Sequence, residues 1–405
     1  MNRHVRHVRR RTTLGVVAAA ALLAGRRLAA QEPSPAAGHW EVAGLPALNY
    51  DSDEGFGYGA LAELYRHAPG AAPYRYTIQP TVQLSTRGRR DFTVFFDAPH
   101  LLPGGWRLDA FAGSEKQLAT PYYGVGNDAP YDATLDADGS PNPYYYRFGR
   151  TRRQLLANVQ HRLGRSPVRA LVGSGAAHVA IDPTPFDSGT TLLAQHLGGT
   201  PAPGGWSNYL RAGLVWDTRD REVGPTRGVW SELLVQRFER ALGSDFAYTR
   251  WTLTDRRYVP LGTERLVFAN RLLLQNVKGG APIYDLSVVQ TSFKQQEGLG
   301  GAKTLRGIPK DRYVGKGMFL WNAELRWRAA ELAALGKPLH LVLSGFVDSG
   351  RVWENGVVLH APVPGLHHGV GGGARLGVGE SFVVAVDAGH GEGSTPLYIG
   401  LGYLY

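Results

Sequence analysis

A chain of 405 residues is long enough for two or three soluble domains or for one large barrel. It contains no cysteine, which excludes a disulfide framework and a thiolate metal site. The formal net charge of +10 invites a nucleic-acid reading, but seven of the basic residues precede residue 28 and the others are scattered, so no basic stretch supports one.

Residues 1–30 have the layout of an export signal. A basic start, MNRHVRHVRRR, leads into the apolar run LGVVAAAALLAG (14–25), and LAAQ offers small residues for cleavage after Ala30. That apolar run is too short to span a bilayer as a helix, which takes about 20 residues. Residues 31–39 are expected to form a short periplasmic segment, and 40–405 one continuous β domain.

From residue 40 onward the chain alternates apolar and polar residues with period two. In YTIQPTVQLS (76–85), Tyr76, Ile78, Pro80, Val82 and Leu84 point one way, while the threonines, glutamines and Ser85 point the other. Such segments fall near 40–49, 55–67, 74–86, 90–98, 104–114, 146–162, 167–181, 207–216, 228–239, 246–259, 263–276, 316–329, 338–348, 366–378, 381–389 and 397–405. Most match or exceed the roughly 9–11 residues of a tilted membrane-crossing strand, whereas soluble strands average about 5–6. The longest connections, near 115–145, 182–206, 277–315 and 349–365, all follow odd-numbered segments. Long loops on one rim and short turns on the other are the habit of outer-membrane barrels. Aromatic residues near segment ends (Trp106, Trp206, Trp230, Tyr258, Trp327, Trp353) suit interfacial girdles. The expected fold is all-β: a transmembrane antiparallel β-barrel of about 16 strands, its apolar faces turned to lipid because lipid offers an open sheet edge no hydrogen-bond partner.

Motifs follow in chain order. LPALNYDSDEGFGYGA (45–60) opens the domain, and LRAGLVWDTRDREVGPTRGVW (210–230) carries a turn with Asp217, Arg219, Asp220, Pro225, Arg227 and Gly228. GLGGAKTLRGIPKDRYVGKG (298–317) lies in the long connection before the twelfth segment. SGFVDSGRVW (344–353) ends the thirteenth, and YIGLGYLY closes the chain. Together these resemble the Omp85 superfamily, the outer-membrane assembly and translocation barrels related to bacterial surface antigen D15. Leu305-Arg306-Gly307 matches the hallmark of the superfamily's sixth extracellular loop, with Ile308 where the family has an aromatic residue.

The resemblance implies that this loop folds back into the lumen and that Arg306 pairs with acidic residues of the wall. Glu324 and Asp348 lie on the polar faces of neighbouring segments and are the candidates. Tyr398, Gly400, Tyr403 and Tyr405 stand where the family carries its assembly signal, which implies insertion by the barrel-assembly machinery. The family's translocators carry periplasmic POTRA domains ahead of the barrel, and residues 31–39 are too few to fold as one, so the expectation is a short form without them.

The function implied is help with inserting or translocating proteins or lipids at the outer membrane of a Gram-negative-type bacterium. A passive pore or structural barrel is the alternative. Outer-membrane lipids and separate periplasmic accessory proteins are the expected partners, with no nucleic acid, and the barrel is expected to be a monomer. No cofactor, metal or catalytic residue is expected. The Lys-Thr at 303–304 lacks the preceding glycine of a phosphate-binding loop, Ala302 standing there instead, and the following segment reads as strand.

Overall fold

The period-two pattern forms a ladder of antiparallel strands in the computed structural model, which describes residues 38–405 apart from 52–54, 72, 137–139, 188, 294, 335–336, 361–362 and 379–381. The export signal at 1–30 and most of the segment 31–39 lie outside the described residues. Sixteen strands form one sheet in strict sequence order, each hydrogen-bonded to the next. They are β1 (Trp40–Asp51), β2 (Gly55–Arg66), β3 (Tyr76–Ser85), β4 (Arg90–Ala98), β5 (Trp106–Pro121), β6 (Arg147–Arg162), β7 (Val168–Asp182) and β8 (Gly205–Asp217). The second half comprises β9 (Gly228–Phe238), β10 (Tyr248–Pro260), β11 (Leu266–Gly279), β12 (Gly317–Ala334), β13 (Lys337–Trp353), β14 (His367–Val378), β15 (Phe382–His390) and β16 (Leu397–Leu401).

Several strands outrun their apolar pattern. β5 continues to Pro121 and β13 to Trp353, because the backbone ladder persists after the lipid-facing alternation ends. The β5–β6 ladder absorbs a register shift between Gln117 and Thr120, and β12 carries one between Arg328 and Ala330. β16 does the opposite and stops at Leu401, short of residue 405.

Side chains sort as a membrane barrel demands. Leu155, Val172, Leu210, Leu233, Leu272 and Leu325 face outward and are exposed. Gln160, Arg211, Gln236, Arg250, Thr252 and Arg271, on the opposite faces, are buried inside. Water cannot satisfy polar groups in the hydrocarbon, so the polar set must turn inward. Two of the expected girdle aromatics belong to the lumen instead: Trp230 is 4% exposed and Tyr258 2%. Both sit at inward positions, where arginines cover their rings: Arg256 lies 3.9 Å from the centre of Trp230, and Arg326 lies 5.8 Å from that of Tyr258. Trp40 and Trp216, 50% and 49% exposed, stand on the outer face.

All connections that follow odd-numbered strands lie on one rim, and the long ones carry structure of their own. The β7–β8 loop holds a short helix, α1 (Leu192–Leu197), capped by Thr191, with Leu193 packed against Tyr122 and Phe148. The β11–β12 loop, 280–316, enters the lumen. It contains one helical turn, α2 (Ile283–Leu286), and a two-residue pairing of Val288–Val289 with Gln296–Glu297.

Candidate functional site

The lumenal loop is held at one arginine. Arg306 is fully buried and forks onto Asp348 of β13, its Nε donating to Oδ2 at 2.7 Å and one terminal nitrogen to Oδ1 at 2.9 Å. Its other terminal nitrogen donates to Glu324 of β12 at 2.6 Å, and its backbone N–H adds a bond to Asp348 at 3.1 Å. The structure thus brings Arg306, Glu324 and Asp348 together, with Phe346 stacked 3.4 Å beneath the guanidinium. Three further charges complete the cluster. Arg326 donates to Glu324 at 2.7 Å, and Arg375 of β14 forks onto Asp387 of β15. Asn322 bridges Asp348 to the loop through the Thr304 carbonyl. Arg375, Arg326 and Asp387 escaped the sequence reading, although each is a charge on the inward parity of a lipid-crossing strand.

Around this lock the loop packs tightly. Leu305 and Ile308 are fully buried beside Leu273, Met318, Leu320 and Val352, so Ile308 fills an apolar slot. Gly307 has a left-handed backbone (φ 95°), and a Cβ there would lie 2.5 Å from the His390 backbone. Opposite it, a Cβ on Gly369 would lie 1.8 Å from the Arg306 carbonyl oxygen. The glycine-rich stretch of β14 is therefore the floor on which the loop rests. The β15–β16 turn closes over it: Ser394 donates to the Gly307 carbonyl, and the Gly307 N–H donates to the Tyr398 hydroxyl at 3.1 Å.

The loop reaches far down the barrel. Arg211 donates to the carbonyls of Thr291 and Ser292, and Glu232 accepts from the Ser292 N–H at 2.9 Å. Phe293 then lies between Trp230 and Arg107, 4.5 Å below the latter. From the opposite rim the β8–β9 turn enters to meet it. Asp217 and Arg219 pair at 2.8 Å, with Arg219 covering Trp230 at 4.7 Å. Asp220 accepts from the Thr226 N–H and hydroxyl, closing the bend at the buried Pro225. Arg227 pairs with Glu264 on the outside, and Gly228 starts β9 with φ 103°.

The residue that spans the lumen is Glu222, which the motif reading passed over. Both its oxygens accept from Arg107 of β5, at 2.8 and 2.9 Å, while Arg107 also forks onto Asp97. Arg107 is thus where loop and turn meet. Burial alone would push the Glu222 carboxyl up, but Arg107 outweighs it and holds the group down at about 2. In the loop, burial lifts Asp311 to about 6, against the pull of Lys310. Asp311 also has a left-handed backbone (φ 51°) and accepts from the Gly298 N–H.

At the end of the chain the period-two alternation, which would set Tyr403 and Tyr405 on the face of Leu397, is broken. Gly402 (φ 76°) turns the chain inward after β16, and Leu404 and Tyr405 are buried. The Tyr405 hydroxyl donates to the Ala269 carbonyl at 3.0 Å, and its ring lies 5.1 Å from both Arg271 and Arg326. Tyr403 packs against Gly224 of the β8–β9 turn, while nothing crowds Gly400. Among the described residues no three His, Asp or Glu side chains are placed to hold a metal. His367 and His390 instead pair with Glu392 and Thr395.

Residues 194–378 match the model of the Omp85 superfamily domain, a span that contains both the turn and the loop. No curated protein matches the chain. Among solved structures it is similar to the crystal structure of BamA from Haemophilus ducreyi lacking POTRA domains 1-3, with a TM-score of 0.52 and 13% identity over 90% of this chain and 70% of that one. It is also similar to CdiB from Escherichia coli, with a TM-score of 0.56 and 14% identity over 92% of this chain and 62% of that one. At such identities the likeness is one of fold.

Proposed function

This chain is an Omp85 superfamily barrel, and from that premise we propose that it assists the insertion or translocation of proteins or lipids at the bacterial outer membrane. Its long-loop rim faces the outside and its short turns the periplasm. The observation that carries the reading is the way β16 is held. Among the described residues its ladder to β15 has five pairs, from Val384–Leu401 to Ala388–Leu397, whereas β14 and β15 share nine and β13 and β14 share twelve. The residues after β16 leave the wall for the lumen instead of lengthening that ladder. A wall strand held by so few backbone bonds is the cheapest place to part the barrel. The lumen itself is occupied by the loop and the β8–β9 turn, so a route along the wall serves a substrate better than one through the centre.

The lumenal lock supports a second reading, a structural barrel, because a balanced and buried charge cluster suits a static plug equally well. The chain's lack of cysteine makes the test clean. Cysteine pairs introduced along β1 and β16 are oxidised in cells depleted of the natural protein, and the outer-membrane proteome and lipids are compared with those of the reduced pairs. Loss of outer-membrane proteins or a changed lipid balance only in the oxidised state is expected. An unchanged outer membrane, both on depletion and on oxidation, would leave the structural barrel as the answer. Tyr398, Gly400, Tyr403 and Tyr405 are assigned on the same basis to reading by the assembly machinery before the barrel closes.

A further inference from the structure

Away from the loop and its lock, an open cleft of about 420 Å³ lies on the short-turn rim between the β2–β3, β4–β5 and β6–β7 turns. Three arginines line it, Arg75, Arg162 and Arg169, and no aspartate or glutamate does. Arg162 and Arg169 are directly opposite each other in the β6–β7 ladder, on the same face. Like charges at facing positions of a sheet repel and destabilise it. Four buried arginines, Arg107, Arg306, Arg326 and Arg375, each contact a carboxylate, and Arg211, Arg250 and Arg271 donate to carbonyl or amide oxygens instead. In the cleft Arg75 and Arg162 are exposed and Arg169 is half-buried, and among the described residues none of the three makes an ion pair or a side-chain hydrogen bond, although Arg169 lies in the field of Glu222 and Asp217. Glu222, which acts on Arg169, is itself engaged through both oxygens by Arg107.

The cleft is also a built feature. The three turns are pinned to one another, the His100 N–H donating to the Arg75 carbonyl and the Arg162 N–H to that of Gly105. Apolar surface borders it: Leu102 in the lining is 47% exposed, and outside the lining stand Leu163, which follows Arg162 in the turn, 47% exposed, and Trp106 on the outer face of the wall, 38% exposed. A cationic recess with an apolar, aromatic border at the edge of a membrane barrel matches a molecule that is anionic at one end and hydrocarbon at the other.

We propose that this cleft binds the phosphodiester headgroup of an anionic glycerophospholipid of the inner-facing leaflet, with Arg75, Arg162 and Arg169 as its ligands and Leu102 and Leu163 against the upper acyl chain. Guanidinium groups fork onto phosphate oxygens, and a phosphate between Arg162 and Arg169 converts their repulsion into a shared attraction. A zwitterionic headgroup fits less well, because its ammonium would find no carboxylate in the lining. The assignment rests on the barrel fold and not on the transport reading.

The test is native mass spectrometry of the whole barrel released from neutral detergent, titrated with phosphatidylglycerol, with phosphatidylcholine and with inorganic phosphate. The wild type should retain one phosphatidylglycerol in preference to phosphatidylcholine, and inorganic phosphate should not displace it. Arg162→Gln with Arg169→Gln should lower that occupancy at least tenfold, and Arg162→Lys should recover part of it. Thermal unfolding supplies an independent readout. In neutral detergent Arg162→Gln should be as heat-resistant as the wild type or more so, since repulsion is relieved, and only the wild type should gain resistance from phosphatidylglycerol. Equal lipid retention by the glutamine variants, equal retention of both lipids, or full displacement by inorganic phosphate would overturn the proposal. So would a loss of heat resistance in Arg162→Gln without lipid, because it would make the arginine structural.

Discussion

Replacing Arg306 with glutamine should damage the barrel far more than the loss of one surface ion pair would. The cluster it belongs to holds three cations (Arg306, Arg326, Arg375) and three carboxylates (Glu324, Asp348, Asp387), with Arg306, Glu324, Asp348 and Arg375 fully buried. Arg306→Gln leaves it with one uncompensated negative charge and removes the forked guanidinium from Asp348, whose oxygens keep only the Arg306 N–H and the Asn322 amide. Breaking a buried pair in this way costs about 3–5 kcal/mol, or two to three and a half powers of ten in the unfolding equilibrium, since each factor of ten is about 1.4 kcal/mol. Adding Asp348→Asn restores the balance of charge, so the double variant should be more stable than Arg306→Gln alone. Urea unfolding in liposomes, followed by tryptophan emission, measures both, and protease cleavage within 280–316 reports whether the loop has left the lumen. A loss below about 1 kcal/mol, typical of an exposed pair, or a double variant weaker than the single one, would refute the reasoning.

Other predictions concern neighbouring parts of the same assembly. Gly307→Ala should raise protease sensitivity of the loop and cost at least about 1–3 kcal/mol, because φ 95° and the His390 backbone leave a Cβ no room; unchanged proteolysis would exclude that crowding. Glu222→Gln should loosen the β8–β9 turn and increase single-channel openings in planar bilayers. Because the Glu222 carboxyl is held at about 2, below its ordinary 4.5, its stabilisation is present above pH 4.5 and is lost as pH falls toward 2. The glutamine variant should lack that limb of the wild-type acid sensitivity. Asp311 has the opposite sign. Raised from 3.8 to about 6, it stabilises below pH 3.8, and that contribution is lost as pH rises through 6. Asp311→Asn should therefore resist heat better than the wild type at pH 8, with the advantage gone near pH 4.

The wall was legible because lipid imposes a rule that acts residue by residue: an outward position must be apolar, so strand, face and loop parity follow from alternation alone. The loop lock was legible for a different reason, since Arg306 sits in a motif and Glu324 and Asp348 are charges in strands that ought to exclude them. What the sequence concealed depends on contacts between distant segments. Glu222 looks like any turn carboxylate until Arg107, 115 positions earlier, is seen across the lumen. Trp230 and Tyr258 read as girdle residues because an aromatic near a strand end suits the interface, but the arginines facing them make the inside equally favourable. Alternation alone would set Tyr405 on the face of Leu397, and only the turn at Gly402 carries it into the lumen.

The inward position of Trp230 has an optical consequence. Of the nine tryptophans, Trp40, Trp106, Trp206, Trp216 and Trp327 are exposed on the outer face, whereas Trp230 is buried with Phe293 of the loop on one side and Arg219 of the turn on another. Brominated acyl chains would quench these five together with the half-buried Trp251 and Trp321, which share the outward parity of Leu253 and Leu325, and leave Trp230 emitting with Trp353 of the long-loop rim; neighbouring guanidinium charges tune the colour of an indole. Withdrawal of either lumenal segment would remove one of its neighbours and shift that residual emission. The barrel therefore carries its own chromophore at the junction of its two plugs, readable in a native bilayer without any label.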